Sequence, residues 1–273
     1  MYLHFMSSFP LTRGGLHIET NGNGPSLVLL HANGGDHRDF DAVVAPLVDS
    51  GWRVTTVDWP GHGQSPRQDP ETAVAFGRLL PQVLDELGGS HVLLGNSVGG
   101  FTALHAAAHR PDLVTGLVLV SPGGFTPRWL GTTLACRAIG SAALAARAYR
   151  VLPRLYLRDR NAGVAATIAR AQEASQSAER AQVYGNLWRS FTDADHDARM
   201  LTATVRCPTL LAWGTHDPIL PWPVDGRRAR AALPDAEIVT FAGAGHQPFI
   251  ERPIEFLERT APFLVRLRTA AHT

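Results

Sequence analysis

The stretch from His91 to His109 constrains this chain more than any other. His91-Val92-Leu93-Leu94 is a short apolar run that reads as a buried strand, and the small residues that follow end it. From Val98 the pattern turns helical and Ala-rich, up to His109 and Pro111. Ser97 therefore stands at a strand-to-helix corner, inside Gly95-x-Ser97-x-Gly99. A corner that sharp needs strained backbone at the serine. Side chains two residues to either side would collide, which explains the glycines. The hydroxyl is held at a helix N-terminus, where free N–H groups and partial positive charge favour a developing oxyanion. A Gly-rich turn with an incidental serine is the competing reading, and the rest of the chain has to decide between them.

Elsewhere the chain alternates buried-strand runs with helical stretches. Leu16 to Thr20 reads as an exposed strand, and Asn21-Gly22-Asn23-Gly24-Pro25 as a turn. Ser26 to His31 is a run fit for a strand buried on both faces. A helix is expected from Asp36 to Asp49, a strand from Trp52 to Asp58, and a helix from Glu71 to Leu87 interrupted near Pro81. Leu113 to Val120 is the strand after the Ser97 unit. The rhythm then breaks: Phe125 to about Thr204 is helical, Ala- and Arg-rich, and without a convincing strand. It resumes with a strand at Pro208–Trp213, a helix at Val224–Ala232, a strand at Glu237–Phe241 and a terminal helix at Ile254–Leu267. The expected fold class is α/β, a mostly parallel doubly wound sheet with a helical insertion. Its parts are a core over 1–124, an insertion over 125–204 and a second core part over 205–273.

Composition prunes the functions. Of 273 residues, 45% are hydrophobic and 18% charged, a globular balance, and no apolar run approaches the ~20 residues of a membrane span. Met1 to Arg13 lacks the pattern of a secretory signal, and Cys136 and Cys207 are isolated, so a reducing cytoplasm is the expected location. Net charge of +1 removes the electrostatic case for nucleic acid. All 25 basic residues are arginine, which excludes a lysine Schiff base and a P-loop lysine. Charge is uneven: residues 128–189 hold 10 Arg against 3 acids, the remainder 15 against 21.

A nucleophilic serine needs a base, and the base an orienting acid. In open parallel sheets, functional groups collect beyond the C-terminal ends of strands. That rule selects Asp217 in Gly214-Thr215-His216-Asp217-Pro218 and His246 in Gly243-Ala244-Gly245-His246. The chain order Ser97, Asp217, His246 then fits a nucleophile-elbow enzyme.

Five stretches in register now carry a resemblance. They are His31-Ala32-Asn33-Gly34, Asp58-x-x-Gly61-His62-Gly63-x-Ser65, Gly95-Asn96-Ser97-Val98-Gly99-Gly100, Trp213-Gly214-x-x-Asp217 and Gly245-His246-x-Pro248-Phe249-x-Glu251-x-Pro253. The chain resembles the α/β-hydrolase superfamily, in its branch with a helical cap, from about residue 14 to 268 outside the insertion. The resemblance implies a Ser97-His246-Asp217 triad and an oxyanion hole from the backbone N–H groups of Asn33 and Val98. It implies no metal and no organic cofactor. Ala32 departs from the glycine that most relatives carry there. Relatives that open epoxides or dehalogenate use Asp at the nucleophile position, so Ser97 points to acyl transfer.

The leading reading is a serine hydrolase of a small carboxylic ester. Ser121-Pro122-Gly123-Gly124-Phe125 resembles the C–C hydrolases of meta-cleavage products instead, whereas Gln247-Pro248-Phe249 is commoner in general esterases and cofactor-free perhydrolases. A thioesterase or lactonase, and a non-catalytic binding protein on the same fold, complete the alternatives. Phe125, Trp129, Tyr156, Trp188 and Gln247 are the expected pocket residues, with Phe191 beside them; packing within the insertion is the competing account of its aromatics. Arg147, Arg150, Arg154 and Arg158 form either a solvated face or an attraction for an anionic acyl substrate or an acyl carrier protein. His105 and His109 lack the Glu of a metalloprotease helix, and Asp193, Asp195 and Asp197 read as a solvated loop. His31 and His62 are read as loop braces, and His216 as a bystander to Asp217.

Overall fold

The computed structural model describes residues 15–270. The expected domain limits at 1–14 and 271–273, and the N-terminal stretch read for a signal, lie outside the described residues. In chain order come β1 (Ile18–Asn21), β2 (Ser26–Leu30), α1 (Asp41–Asp49), β3 (Arg53–Val57), α2 (Ala73–Leu87), β4 (His91–Asn96), α3 (Val98–His109) and β5 (Val114–Val120). Six helices follow: α4 (Leu130–Ile139), α5 (Ala145–Val151), α6 (Pro153–Tyr156), α7 (Ala162–Ala174), α8 (Ala178–Ser190) and α9 (Arg199–Thr202). The chain ends with β6 (Thr209–Gly214), α10 (Arg227–Ala232), β7 (Glu237–Phe241), α11 (Pro248–Glu251) and α12 (Pro253–Ala270).

The strands form one seven-stranded sheet in the order β1-β3-β2-β4-β5-β6-β7, parallel except for the edge strand β1. Every residue of β2, β4 and β6 is buried, as a parallel sheet covered on both faces requires. Alternate residues serve opposite cores. Val28, Leu30, Leu93, Leu117, Leu119 and Leu211 pack under α2, α3 and α10. Leu27, Leu29, Val92, Leu94, Val118 and Leu210 pack under α1, α11 and α12. The chain runs outward from β2 to β3 and then returns to place β4 on the other side of β2. That reversal is a topological switch point, where loops diverge and leave a crevice beyond the strand ends.

Three helices differ from the sequence expectation. The first begins as a 3-10 turn over His37–Phe40, capped by the Asp36 carboxylate accepting from Arg38 N at 2.9 Å, before α1 proper. Helix α2 starts at Ala73 behind a Thr72 cap and runs through Pro81 without interruption. Its stripe of Phe76, Leu80, Val83 and Leu84 is buried in the core, and that packing outweighs the one hydrogen bond a proline removes. The expected helix at Val224 opens instead as a wider π-turn over Trp222–Gly226.

Candidate active site

The corner after β4 is strained as its sequence demands. Ser97 has φ 55° and ψ −115°, a conformation that costs a non-glycine residue of order 1–3 kcal/mol. Three backbone bonds hold it: Ser97 N donates to Val120 O (3.1 Å), and Ser97 O accepts from Phe101 N (3.0 Å) and Gly123 N (2.8 Å). A Cβ at Gly95 would come within 2.3 Å of Gly99 O, and one at Gly99 within 2.2 Å of Leu30 O. The two glycines therefore let α3 lie directly on the strands it leaves.

Beyond β6, Asp217 is buried and its carboxylate fully partnered. Oδ1 accepts from the backbone N–H groups of Ile219 (2.8 Å) and Leu220 (3.0 Å), and Oδ2 meets His246 Nδ1 at 2.7 Å. That contact puts the proton of neutral His246 on Nδ1 and leaves Nε2 as the basic atom. His216, the neighbour, is exposed and faces Thr215 Oγ1. The His246 loop is itself anchored. His246 N donates to Tyr156 O (3.0 Å), and the buried Glu251 carboxylate accepts from the N–H groups of Gly245, Gln247, Arg158 and Asp159. Glu251 thus joins the loop to the helical insertion, a role its motif did not disclose.

Ser97 and His246 open on one cavity of about 270 Å³, which Asn33 and Val98 also line. Val98 is the first residue of α3, where N–H groups have no intrahelical partner. The opposite wall comes from the insertion: Ile139, Tyr156, Tyr184, Trp188 and Phe191 are apolar or aromatic, and Thr132, Thr133 and Cys136 stand among them. Burial pushes the Cys136 thiol up, which disfavours the thiolate a cysteine nucleophile needs.

Of the expected pocket residues, Tyr156, Trp188 and Phe191 are on the wall and three are not. Phe125 is wholly buried in the core, its carbonyl accepting from Arg228 Nε. Trp129, the residue before α4, is 64% exposed and does not line the cavity. Gln247 is buried behind the loop, where its Nε2 donates to Asn96 Oδ1 (3.2 Å). Arg147, Arg150, Arg154 and Arg158 are exposed and none lines the cavity; Pro153 opens α6, so Arg147 and Arg150 lie on α5, Arg154 on α6 and Arg158 in the loop beyond it. Arg128, at the rim, is the arginine on the wall.

His196 was missed by sequence reasoning. It lines the cavity, buried against Phe101 and Phe191, and its Nδ1 faces Phe191 O at 3.3 Å. Burial lowers it to about 4, so it is neutral and directs an unpartnered Nε2 acceptor. A loop histidine with no neighbouring motif gives no signal in sequence. His31 and His62 are held in the loops as braces. His31 Nδ1 donates to Ala32 O (2.7 Å) and its Nε2 accepts from Trp59 N (3.0 Å), while His62, lowered by burial to about 3, bonds Pro60 O through Nδ1.

A sequence profile of the alpha/beta hydrolase fold family matches residues 25–253. A pimeloyl-[acyl-carrier protein] methyl ester esterase of Chromobacterium violaceum is 30% identical, over 91% of this chain and 98% of its own. A 2-hydroxy-6-oxononadienedioate/2-hydroxy-6-oxononatrienedioate hydrolase of a Pseudomonas species is 28% identical, over 93% of each chain. The structure of a 2-hydroxy-6-oxo-6-phenylhexa-2,4-dienoate hydrolase from Rhodococcus superposes with TM-score 0.77 at 20% identity, over 97% of this chain and 98% of that one. With the profile spanning most of its length, the chain belongs to the alpha/beta hydrolase fold family.

Proposed function

We propose that this protein is a serine hydrolase of small carboxylic esters, working through Ser97, His246 and Asp217. The observation that carries the reading is a strained, cavity-facing Ser97 in one crevice with a histidine whose Nδ1 is held at 2.7 Å by a buried aspartate. His246 Nε2 takes the Ser97 proton as Oγ attacks the ester carbonyl, and the C–O bond to the alcohol then breaks as the same nitrogen returns the proton to it. Water, deprotonated by His246, releases the acid and restores Ser97. Asp217 holds the tautomer and stabilises the imidazolium. The N–H groups of Asn33 and Val98 receive the oxyanion, each such donor contributing on the order of 10²–10³ in rate. In this reading residues 125–204 are a cap, whose aromatic wall seats the acyl chain and excludes water.

C–C hydrolysis is the second reading, favoured by the 28% identical dienedioate hydrolase and by Ser121-Pro122-Gly123-Gly124 after β5. An acyl-carrier-borne ester is a further case of the first, suggested by what the Chromobacterium relative acts on. Labelling with a fluorophosphonate tests the chemistry. The wild type should label stoichiometrically and hydrolyse short p-nitrophenyl esters. Ser97→Ala should do neither, losing at least about 10⁴ in rate with an unchanged Tm. Labelling that survives in Ser97→Ala would remove Ser97 from the mechanism. An unlabelled wild type would favour a binding protein on this fold. Faster turnover of a dienoate than of any ester would select the second reading.

A further inference from the structure

His17, Glu19 and His37 lie away from the cavity, where the edge strand meets the loop after β2, and the proposed reaction uses none of them. Their donor atoms all fall within 4.8 Å of one another. Glu19 Oε1 is 3.1 Å from His17 Nε2 and 3.4 Å from His37 Nε2. Ligands held about 2 Å from a tetrahedral zinc are about 3.3 Å apart, so two of the three spacings already suit a metal, and a small side-chain rotation closes the third.

The hydrogen bonds around the cluster direct lone pairs inward. His37 Nδ1 lies 2.9 and 3.0 Å from the two Asp58 oxygens, so its proton sits there and Nε2 is turned toward Glu19. Asp58 is immobilised in turn, accepting from His37 N (2.7 Å) and Gln64 N (2.9 Å). A carboxylate holding the far nitrogen of an imidazole is the arrangement that orients metal-bound histidines. At His17, Nε2 faces the Gln64 amide nitrogen at 3.2 Å, which can only donate, and a carboxylate oxygen, which can only accept. One ring nitrogen cannot satisfy both. A cation bound by Nε2 and Oε1 replaces the repulsion between their lone pairs, and the exposed Gln64 amide is free to turn to water.

We propose that His17, Glu19 and His37 form a binding site for a divalent transition ion of the zinc type, with Asp58 behind His37 and solvent completing the shell. Two imidazoles and one carboxylate are a donor set that such ions accept and that magnesium does not favour. The ion would tie the edge strand to the loop that precedes α1. Sequence hid the site because its ligands come from two segments and have no metal-motif spacing; the expectation of no metal rested on the hydrolase chemistry and on His105, His109 and the Asp193 loop.

Calorimetric titration of the full chain, freed of metal with a chelator, tests the site with zinc chloride and, separately, magnesium chloride. Zinc should bind one per chain with Kd of about 10 μM or tighter and raise Tm by several degrees, while magnesium does neither. His17→Ala and Glu19→Gln should each weaken zinc at least tenfold. Both side chains are partly exposed, and the backbone bonds of residue 17 to Ser65 and Asp58 do not depend on its ring. His105→Ala with His109→Ala should leave the affinity unchanged. No saturation below 100 μM zinc would overturn the site, as a proton between His37 and Glu19 would produce. Zinc bound at wild-type strength by both folded variants would overturn it too, placing the ion elsewhere.

Discussion

The sheet and the helical insertion are built by different rules. Strands β2, β4 and β6 bury every residue, and each side chain has a core on its own face of the sheet. In the insertion α4 buries none, and Trp129, Leu130, Leu134, Leu144, Leu155 and Met200 are large hydrophobics left exposed. Its own core is small, centred on stacked Tyr149 and Tyr184 with Ala171 and Ala174. It joins the sheet side through a few buried side chains, Leu157, Val164 and Leu187 among them, and through specific contacts: Arg170 to Asp39 at 2.7 Å, Val183 against Gly61, Tyr184 against Gly34, and Arg158 to Glu251. The groups assigned to chemistry are therefore set by dense packing, whereas the wall opposite them is set by fewer buried side chains, with α4 burying none. Damage to the first should be measured in rate, and damage to the second in selectivity and stability.

The largest effect should follow from disturbing a polar group on the sheet side. Asp217→Asn keeps the two backbone bonds to Oδ1 within reach but faces His246 with an amide that favours the wrong tautomer. A loss of roughly 10⁴ in kcat with little change in KM is expected. His216→Ala, one residue away but exposed, should cost less than threefold. Rates measured side by side decide; the reverse ranking would mean that His216, and not Asp217, serves His246.

This division also governs what could be read from the sequence. Strands were legible because parallel pairing demands continuous apolar runs such as Ser26–Leu30, and Ser97 because a strained corner demands glycines at fixed offsets. The candidate positions Asp217 and His246 followed from their place after strands. The wall was not legible, since nothing local distinguishes Trp188, which faces the cavity, from Trp129, which faces solvent. Gln247 was misplaced for the same reason: which way a side chain leaves a loop depends on Asn96, a residue distant in the chain. The insertion between β5 and β6 could be bounded, but its helix directions depend on contacts such as Gly245 against the Tyr156 carbonyl.

Glu251 is where the two parts meet, so its replacement probes both at once. Gln at this position keeps one acceptor oxygen and turns an NH2 toward N–H groups that need an acceptor. Stability should fall by about 2–4 kcal/mol. The His246 loop loosens with it, so kcat should drop roughly 10- to 100-fold while the optimum chain length of p-nitrophenyl esters shifts. Lost stability with an unaltered kcat would show that the loop is held without this carboxylate.

Asp225 marks a second joint, accepting from Thr126 Oγ1 at the start of the insertion, and burial pushes its carboxyl up to about 6. Between the unfolded value near 4 and the folded value, the native state binds more protons than the unfolded chain. This group's contribution to stability therefore declines as pH rises through that window and stays unfavourable above it. Asp225→Asn retains the acceptor and removes the charge. It should be more stable than wild type at pH 8 by on the order of 1–3 kcal/mol, and no more stable at pH 4. Thermal melts at the two pH values check this; an equal gain at both would make the effect one of packing rather than of charge.

The smallest effect concerns the arginines of the insertion surface. Arg150 and Arg154 are exposed and off the cavity wall, whereas Arg128 stands at its rim. Exposed charges lose most of their reach beyond about 8 Å at physiological salt, and an exposed pair contributes about 0.2–1 kcal/mol. Arg128→Gln should therefore lower kcat/KM for a carboxylate-bearing ester about threefold and leave its methyl-ester analogue unchanged. Arg150→Gln with Arg154→Gln should alter neither by more than twofold, and salt should erase the Arg128 effect. An ester on an acidic carrier protein is large enough to touch α5 and α6, so it is the substrate for which the double variant should matter. If the double variant slowed the small anionic ester as much as Arg128→Gln does, the outer face of the insertion would be steering substrate. The insertion would then be more than a wall, and the division between rate on the sheet side and selectivity on the other would fail there.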